Sequence, residues 1–362
     1  MALRRELRFD GAPERFRRRQ GGWTMRRLRH LLYLLLILGA LAGLALALVV
    51  QPFVAPRPSH PPAADPQRLR ADVKYLSVDL YPRSYDQFDN IELAARYIHE
   101  QLRLSGAQVS YQDVVVEGVA YRNVIARFGP QTGPLRVIGA HYDSFADVGR
   151  DSDDARGYSP KTHTPGADDN ASGVAGLLEL ARLLGRSPQT RPIELVAYTL
   201  EEPPHFRSEH MGSAWHARAL REAGREVEFM LSLEMIGRFS DRPGSQRYPV
   251  RGMHRLYSDR GDFVVVTGRM SDFGATRRIK AAMTGAGDLP VYSINAPPLL
   301  VQGVDFSDHL SYWHEGYPAL MISDTAFLRS NTYHQASDTY DKLDYARMAK
   351  VVQAVYAVTQ QP

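Results

Sequence analysis

Six short clusters in this 362-residue chain carry side chains able to hold a cation or move a proton. His141 and Asp143 stand in Gly-Ala-His-Tyr-Asp-Ser, Asp168 and Asp169 in Pro-Gly-Ala-Asp-Asp-Asn-Ala-Ser-Gly, and Glu201 and Glu202 as a pair. Glu234 lies in Leu-Ser-Leu-Glu-Met-Ile-Gly, Asp308 and His309 in Phe-Ser-Asp-His-Leu, and His334 in Thr-Tyr-His. There is no cysteine, which excludes disulfides, thiolate nucleophiles and sulfur-ligated metals. Any metal must sit on imidazole and carboxylate, a donor set that suits a catalytic zinc site or another divalent transition metal. A lone His-x-Asp or acid pair is ordinarily a solvated surface feature, but here the context differs. Glu201 and Glu202 end an apolar run, where adjacent carboxylates repel unless a cation lies between them. Glu234 sits inside another apolar run, where a lone charge is costly.

The steps from His141 to Asp169 to Glu202 to Glu234 are 28, 33 and 32 residues. A βα unit takes about thirty residues, so a ligand repeated at that interval returns to the same edge of a parallel sheet. That edge, at the carboxyl ends of the strands, is where open α/β sheets place their sites. The patterning agrees. Strands are expected over 109–116, 121–128, 135–140, 193–200, 228–236, 263–267, 291–294 and 319–322, the first two forming a hairpin through Gly118. Helices are expected over 91–104, 172–184, 211–223, 274–286 and 338–357. The fold class is α/β, a mostly parallel, mixed sheet with helices on both faces. Long polar loops at 144–167 and 237–261 are expected to build or cover the site.

Taken in order, these motifs resemble the two-zinc exopeptidases of peptidase family M28, which include bacterial zinc aminopeptidases, aminopeptidase Y and glutamate carboxypeptidase. The similarity covers about residues 135–345, and glutaminyl cyclases share the fold. The resemblance implies a zinc exopeptidase-like domain with two divalent ions, Zn2+ foremost. It makes Asp169 the carboxylate bridging both ions, His141 and Glu234 the further ligands of one, and Glu202 and His334 those of the other. Glu201 matches the general base, and Asp143 the acid that orients His141. Asp168 is then structural. Asp308 and His309 buttress the site, and Tyr333 is the candidate oxyanion donor. Two departures stand out: many relatives have Asp where this chain has Glu234, and the stretch 203–207 lengthens the segment after Glu202. Phe206 and Arg207 are candidates for a pocket wall, whereas His163, His205 and His210 read as polar loop residues. Tyr312 and Trp313 read as packing beneath the Ser-Asp-His turn.

Residues 31–50 hold no charge and no proline, and as a helix they span roughly 30 Å, the thickness of a hydrocarbon core. Residues 1–30 carry ten Arg against three acids, a net of +7, which leaves −3 for residues 31–362. The arginines before the apolar run place the N-terminus in the cytoplasm and the rest in the periplasm or exterior. The chain thus reads as a basic tail (1–30), a single-pass signal anchor in the cytoplasmic membrane (31–50), a Pro-rich linker (51–66) and a catalytic domain (67–362). A cleaved signal peptide is the competing reading of 31–50. The six prolines of 51–66 suggest a stiff spacer of up to about 50 Å. Basic charge packed into a tail, not spread over a folded face, argues against a nucleic-acid partner. The expected partners are a peptide substrate and the bilayer. The functional expectation is a membrane-anchored metallo-exopeptidase of aminopeptidase type. The alternatives are a single-zinc glutaminyl-peptide cyclotransferase and a catalytically silent binding ectodomain. Oligomeric state is not legible. Asn170-Ala171-Ser172 is a glycosylation sequon beside the bridging carboxylate and mildly favours a bacterial periplasm.

Overall fold

The computed structural model describes residues 14–147 and 162–361, with backbone alone at 14–24. The extreme N-terminus and residues 148–161 of the first long loop lie outside the described residues. The chain divides into two units, Met1–Leu48 and Val49–Pro362. Helix α1 (Glu14–Val50) makes up the described part of the first. Its stretch Met25–Val50 is long and apolar enough to cross a bilayer.

The second unit is built on one eight-stranded sheet in the order β1-β2-β4-β3-β5-β8-β6-β7. Strands β1 (Gln108–Val116) and β2 (Val119–Phe128) form an antiparallel hairpin. Its two turn residues, Glu117 and Gly118, both have positive φ (50° and 83°), as a tight turn matched to strand twist requires. The centre is parallel: β4 (Ile193–Tyr198), β3 (Leu135–His141), β5 (Val227–Glu234) and β8 (Ala319–Ser323). Strands β3 and β4 are buried at every residue and mostly apolar, as strands covered on both faces are; the buried charges are paired, Arg136 with Glu228 and Glu194 with Arg127 and His216. Strands β6 (Val264–Gly268) and β7 (Val291–Asn295) pair in parallel with each other, and β6 runs antiparallel to β8. The sheet is therefore mixed, with its four parallel strands contiguous.

Helices cover both faces. On one lie α2 (Pro66–Lys74), α3 (Phe88–Leu104), α4 (Gly173–Leu184), α6 (Phe273–Thr284) and α8 (Tyr345–Thr359). On the other lie α5 (Gly212–Glu222) and the short α7 (His309–His314). In α3, Ile91, Ala94, Ala95, Ile98 and Leu102 form the buried stripe, at helical spacing. Neither α2 nor α7 was expected. Helix α2 starts where the Asp65 side chain accepts the Gln67 amide at 2.8 Å and Pro66 takes the first turn, a cap that a proline-rich context disguises.

Three expectations need correction. The strand expected over 193–200 stops at Tyr198, which releases Glu201 and Glu202 into a loop. The closing helix expected from 338 begins at Tyr345, where the Asp344 side chain accepts the Arg347 amide at 3.0 Å. The Pro-rich stretch is not a free spacer. Its Gln51 side chain donates to the Phe273 carbonyl and to Asn295 Oδ1. Its Arg57 and Ser59 amides donate to the carbonyls of Ala281 and Gly285, and the Asp65 amide donates to buried Glu179. Proline removes donors only at its own nitrogens, so the residues between remain free to pair with the body.

Candidate metal centre

The four central parallel strands each deliver one or two acidic or imidazole side chains to their carboxyl ends. His141 is the last residue of β3 and Glu234 the last of β5. Glu201 and Glu202 follow β4, and His334 follows β8. Asp169 lies in the turn that leads into α4. The order β4-β3-β5-β8 makes these neighbours. The chain passes from β3 to one side and returns to β5 on the other, the switch point at which such sheets open a crevice.

Two three-residue groups result, sharing one carboxylate: His141, Asp169 and Glu234, and Asp169, Glu202 and His334. All are buried. His141 Nε2 lies 3.5 Å from Asp169 Oδ1 and 3.4 Å from Glu234 Oε2. His334 Nε2 lies 3.3 Å from Asp169 Oδ2 and 3.3 Å from Glu202 Oε2. Most of these gaps are long for hydrogen bonds. They match the edge of a tetrahedral zinc site, where ligands about 2.0–2.1 Å from the ion sit about 3.4 Å from each other. His141 Nε2, Asp169 Oδ2 and Glu202 Oε1 are buried with no hydrogen-bond partner, and such atoms require one. The donor set therefore fits divalent cations.

The electrostatics agree. Burial pushes the carboxyls of Glu201, Glu202 and Glu234 up, Glu202 to about 7; Glu234 and Glu202 add to the rise of Glu201, and Asp169 adds to that of Glu202 and Glu234. Burial lowers His334, but Glu202 and Asp169 outweigh it and hold it at about 9. Two imidazoles are too little positive charge for this many buried acids, a deficit that cations repair.

The supporting residues fix the loops. Asp143 accepts the backbone amides of Glu201 (3.1 Å) and Glu202 (3.0 Å), and its Oδ1 lies 3.5 Å from His141 Nδ1. One buried acid thus sets both the acid pair and the imidazole. Asn170 joins two elements: its Oδ1 accepts the amides of Gly173 and Met235, and its Nδ2 donates to the Leu233 carbonyl. This holds Asp169 beside the end of β5 and leaves the sequon asparagine fully buried. Asp168 Oδ1 accepts the Gly237 amide at 2.9 Å and braces the segment after β5.

Three supports were not legible in the sequence. Ser307 donates to Glu234 Oε2 at 2.7 Å. Asp338 Oδ2 accepts the amides of both Asp168 and Asp169. Buried Arg83 donates to the carbonyls of Leu76, Tyr142, Pro165 and Gly166, tying down the loops that flank His141 and Asp169. Asp338 falls in the helix expected over 338–357, and the capping residue Asp344 is the sequence signal that places it before that helix.

Tyr333 stacks on His334 at 3.8 Å, and Phe145 stacks on the same ring at 4.0 Å. Burial and the acids Asp169, Glu202, Glu201 and Glu234 push the Tyr333 hydroxyl well up, so it stays protonated and able to donate. Asp308 is buried within the influence of His141, Glu234 and Asp143, and burial pushes it up to about 7. His309 departs from expectation. Its Nε2 pairs with the Val304 carbonyl at 2.8 Å and its ring packs edge-on against Trp313. The two neighbours thus differ in surroundings: Asp308 lies among the charged groups of the site, whereas His309 meets a carbonyl and an indole. His163 pairs with Ser84 and Asp86, and neither it, His205 nor His210 belongs to the two ligand groups.

An apolar cavity of ≈ 90 Å³ opens beside Glu234 and Tyr333, walled by Phe263, Ile294, Val301, Phe306, Met321 and Phe327. Phe206 and Arg207 touch one of its walls, Phe306: Phe206 packs on that ring, and Arg207 lies over it while paired to Asp305.

Residues 123–359 match the model of peptidase family M28. The chain belongs to peptidase family M28. It is a metal-dependent exopeptidase that acts on peptides. It is 50% identical over 312 residues to the uncharacterized protein YfbL of Escherichia coli (strain K12), covering 86% of this chain and 93% of that one. It is 26% identical over 293 residues to a probable leucine aminopeptidase of Trichophyton verrucosum (strain HKI 0517), covering 78% and 69%. Its fold matches the crystal structure of a leucine aminopeptidase precursor from Bacteroides thetaiotaomicron VPI-5482, with a TM-score of 0.62 at 21% identity over 83% of this chain and 98% of that one.

Proposed function

We propose that this chain is a membrane-anchored aminopeptidase that holds two divalent ions, zinc foremost. One would lie on His141, Asp169 and Glu234, the other on Asp169, Glu202 and His334. The observation that carries this reading is the shared carboxylate: two complete ligand groups meet at Asp169 with edges of 3.3–3.5 Å. Residues 31–50 anchor the chain in the cytoplasmic membrane with residues 1–30 inside and the catalytic domain in the periplasm or exterior. The names of the aminopeptidase relatives support the reaction type, and the apolar cavity beside Glu234 supports an apolar substrate side chain.

When bound, the ions would acidify a water and polarise the scissile carbonyl. The chain's own residues do the rest. Glu201 Oε2, 3.8 Å from His141 Nε2, takes the water's proton and delivers it to the leaving amine. The Tyr333 hydroxyl donates to the carbonyl oxygen as charge develops there. Asp143 keeps Glu201 in register through its backbone amide.

The test is the full chain in detergent, assayed on amino-acid amides, dipeptides and N-terminal Gln peptides with and without chelator. Expected are cleavage of substrates with a free amine and an apolar first residue, loss on chelation, and about two zinc ions per chain. One zinc per chain with cyclisation of Gln peptides would replace this reading with the cyclotransferase. Glu201→Gln is expected to retain zinc and lose at least about a hundredfold in kcat. Undiminished turnover in that variant removes Glu201 from the mechanism.

A further inference from the structure

The chain passes out of its apolar helix into the catalytic unit through a polar clasp. Ser293 Oγ donates to the Val50 carbonyl and Lys280 Nζ to the Gln51 carbonyl, both at 2.9 Å. The Gln51 side chain donates to the Phe273 carbonyl at 3.1 Å and to Asn295 Oδ1 at 2.8 Å. Asn295 Nδ2 in turn donates to the Arg269 carbonyl. Val50 and Gln51 are thus fastened to α6 and β7.

Apolar side chains stand in water around this clasp. Phe53, two residues past Gln51, is 85% exposed, and Leu299 is 94% exposed. Leu300, Met270 and Phe273 are exposed as well. Phe273 is the residue whose carbonyl Gln51 holds, and Met270 follows the arginine held by Asn295. Leu299 lies four residues past Asn295, within about 14 Å by chain length alone. It sits in a turn closed by the Leu300 amide on the Pro297 carbonyl. Among the described residues of the catalytic unit, Leu299 and Phe53 are the two most exposed large apolar side chains. Isolated exposed leucines are ordinary; several gathered around one point mark a contact surface.

The chain itself indicates what covers them. Val50 ends the bilayer-length stretch Met25–Val50, and its own carbonyl is held by Ser293. The residue at which the apolar stretch ends is thus itself part of the surface that carries these side chains. Exposed Arg277 and Arg278 on α6 add charge suited to anionic headgroups. We propose that Phe53, Met270, Phe273, Leu299 and Leu300 form a second membrane contact that seats the catalytic unit in the headgroup region of the bilayer its own helix spans. This rests on the membrane-anchored reading above. The loop that carries Leu299 and Leu300 also supplies Val301 and Val304 to the apolar cavity, so the contact adjoins one wall of the candidate substrate site.

The absence of cysteine makes the test direct. Single-cysteine variants Phe53→Cys, Leu299→Cys and, as reference, Leu104→Cys are made in the full chain and spin-labelled. Leu104 is 64% exposed at the end of α3. The chains are reconstituted into phosphatidylcholine–phosphatidylglycerol vesicles, and label accessibility is read with oxygen and with a water-soluble nickel chelate. Relative to the label at 104, those at 53 and 299 are expected to favour oxygen by roughly threefold, because oxygen partitions into apolar surroundings. Labels at 53 and 299 as accessible to nickel as the label at 104 overturn the proposal. Labels shielded from both reagents with dipolar broadening also overturn it, since a second copy of the chain then covers the patch. Flotation of the vesicles separates this failure from that of the anchor itself: a chain that does not float has lost the anchored reading, whereas one that floats with water-exposed labels has lost only the second contact.

Discussion

Replacing Asp143 by Asn changes almost no volume and tests how the site is held. In the native chain one carboxylate oxygen accepts the Glu201 amide and the other the Glu202 amide, at 3.1 and 3.0 Å, in a fully buried position. Asparagine keeps one acceptor and turns an NH2 group toward the other amide, so one hydrogen bond becomes two facing donors. A lost hydrogen bond to a charged group is worth about 1.5–3 kcal/mol, and a stranded buried donor costs about 1–3 kcal/mol more. The cheapest relaxation moves the loop carrying Glu201 and Glu202, since the β3 end is locked in the sheet. The change also removes the negative charge 3.5 Å from His141 Nδ1, weakening that imidazole as a donor. Loss of such an outer partner typically lowers metal affinity by about 10–100-fold. The assay is competitive zinc titration against a chromogenic chelator, followed by kcat at saturating zinc. Asp143→Asn is expected to weaken zinc within that range and to keep a reduced kcat even when fully loaded, because Glu201 has lost its backbone anchor. Zinc affinity within twofold of the native chain, together with unchanged kcat, would refute the reasoning and leave Asp143 as an ordinary buried acid.

Two further variants test other buried contacts. Ser307→Ala removes the 2.7 Å donor to Glu234 and is expected to weaken zinc by about 1.5–3 kcal/mol; zinc titration showing no change assigns Ser307 to packing alone. Burial pushes the Glu194 carboxyl up, but His216 and Arg127 outweigh it and hold it at about 2, below its ordinary 4.5. Its stabilisation is therefore complete above the unfolded value and lost as pH falls through about 2, so Glu194→Gln should cost about 3 kcal/mol at pH 6 and only about 1 kcal/mol at pH 3. Urea unfolding of both chains at the two pH values checks this, and a difference independent of pH rejects it.

Much of the molecule was written in local pattern. The buried runs of β3 and β4, the Gly118 hairpin and the stripe of α3 follow from periodicity, because one face of each element must leave water. The interval of about thirty residues between His141, Asp169, Glu202 and Glu234 already implied a shared sheet edge, since strand-to-strand chain length is set by the helix between. The cysteine-free donor set restricted any metal to nitrogen and oxygen. The apolar run at 31–50 emerged for the same reason of composition.

Other features depend on contacts between residues far apart in the chain, which no local pattern encodes. Ser307 meets Glu234, Asp338 meets the Asp168 and Asp169 amides, and Arg83 gathers four carbonyls, yet none has a neighbour in sequence that hints at its partner. His309 and Asp308 are adjacent in sequence yet meet different partners, Asp308 the charged groups of the site and His309 the Val304 carbonyl and Trp313. The proline-rich stretch shows the same limit in reverse. Its composition predicts an extended chain, but whether an extended chain is free or bound depends on the surface it meets. Here that surface is α6 and β7, and only the folded body supplies the carbonyls and side chains that hold it.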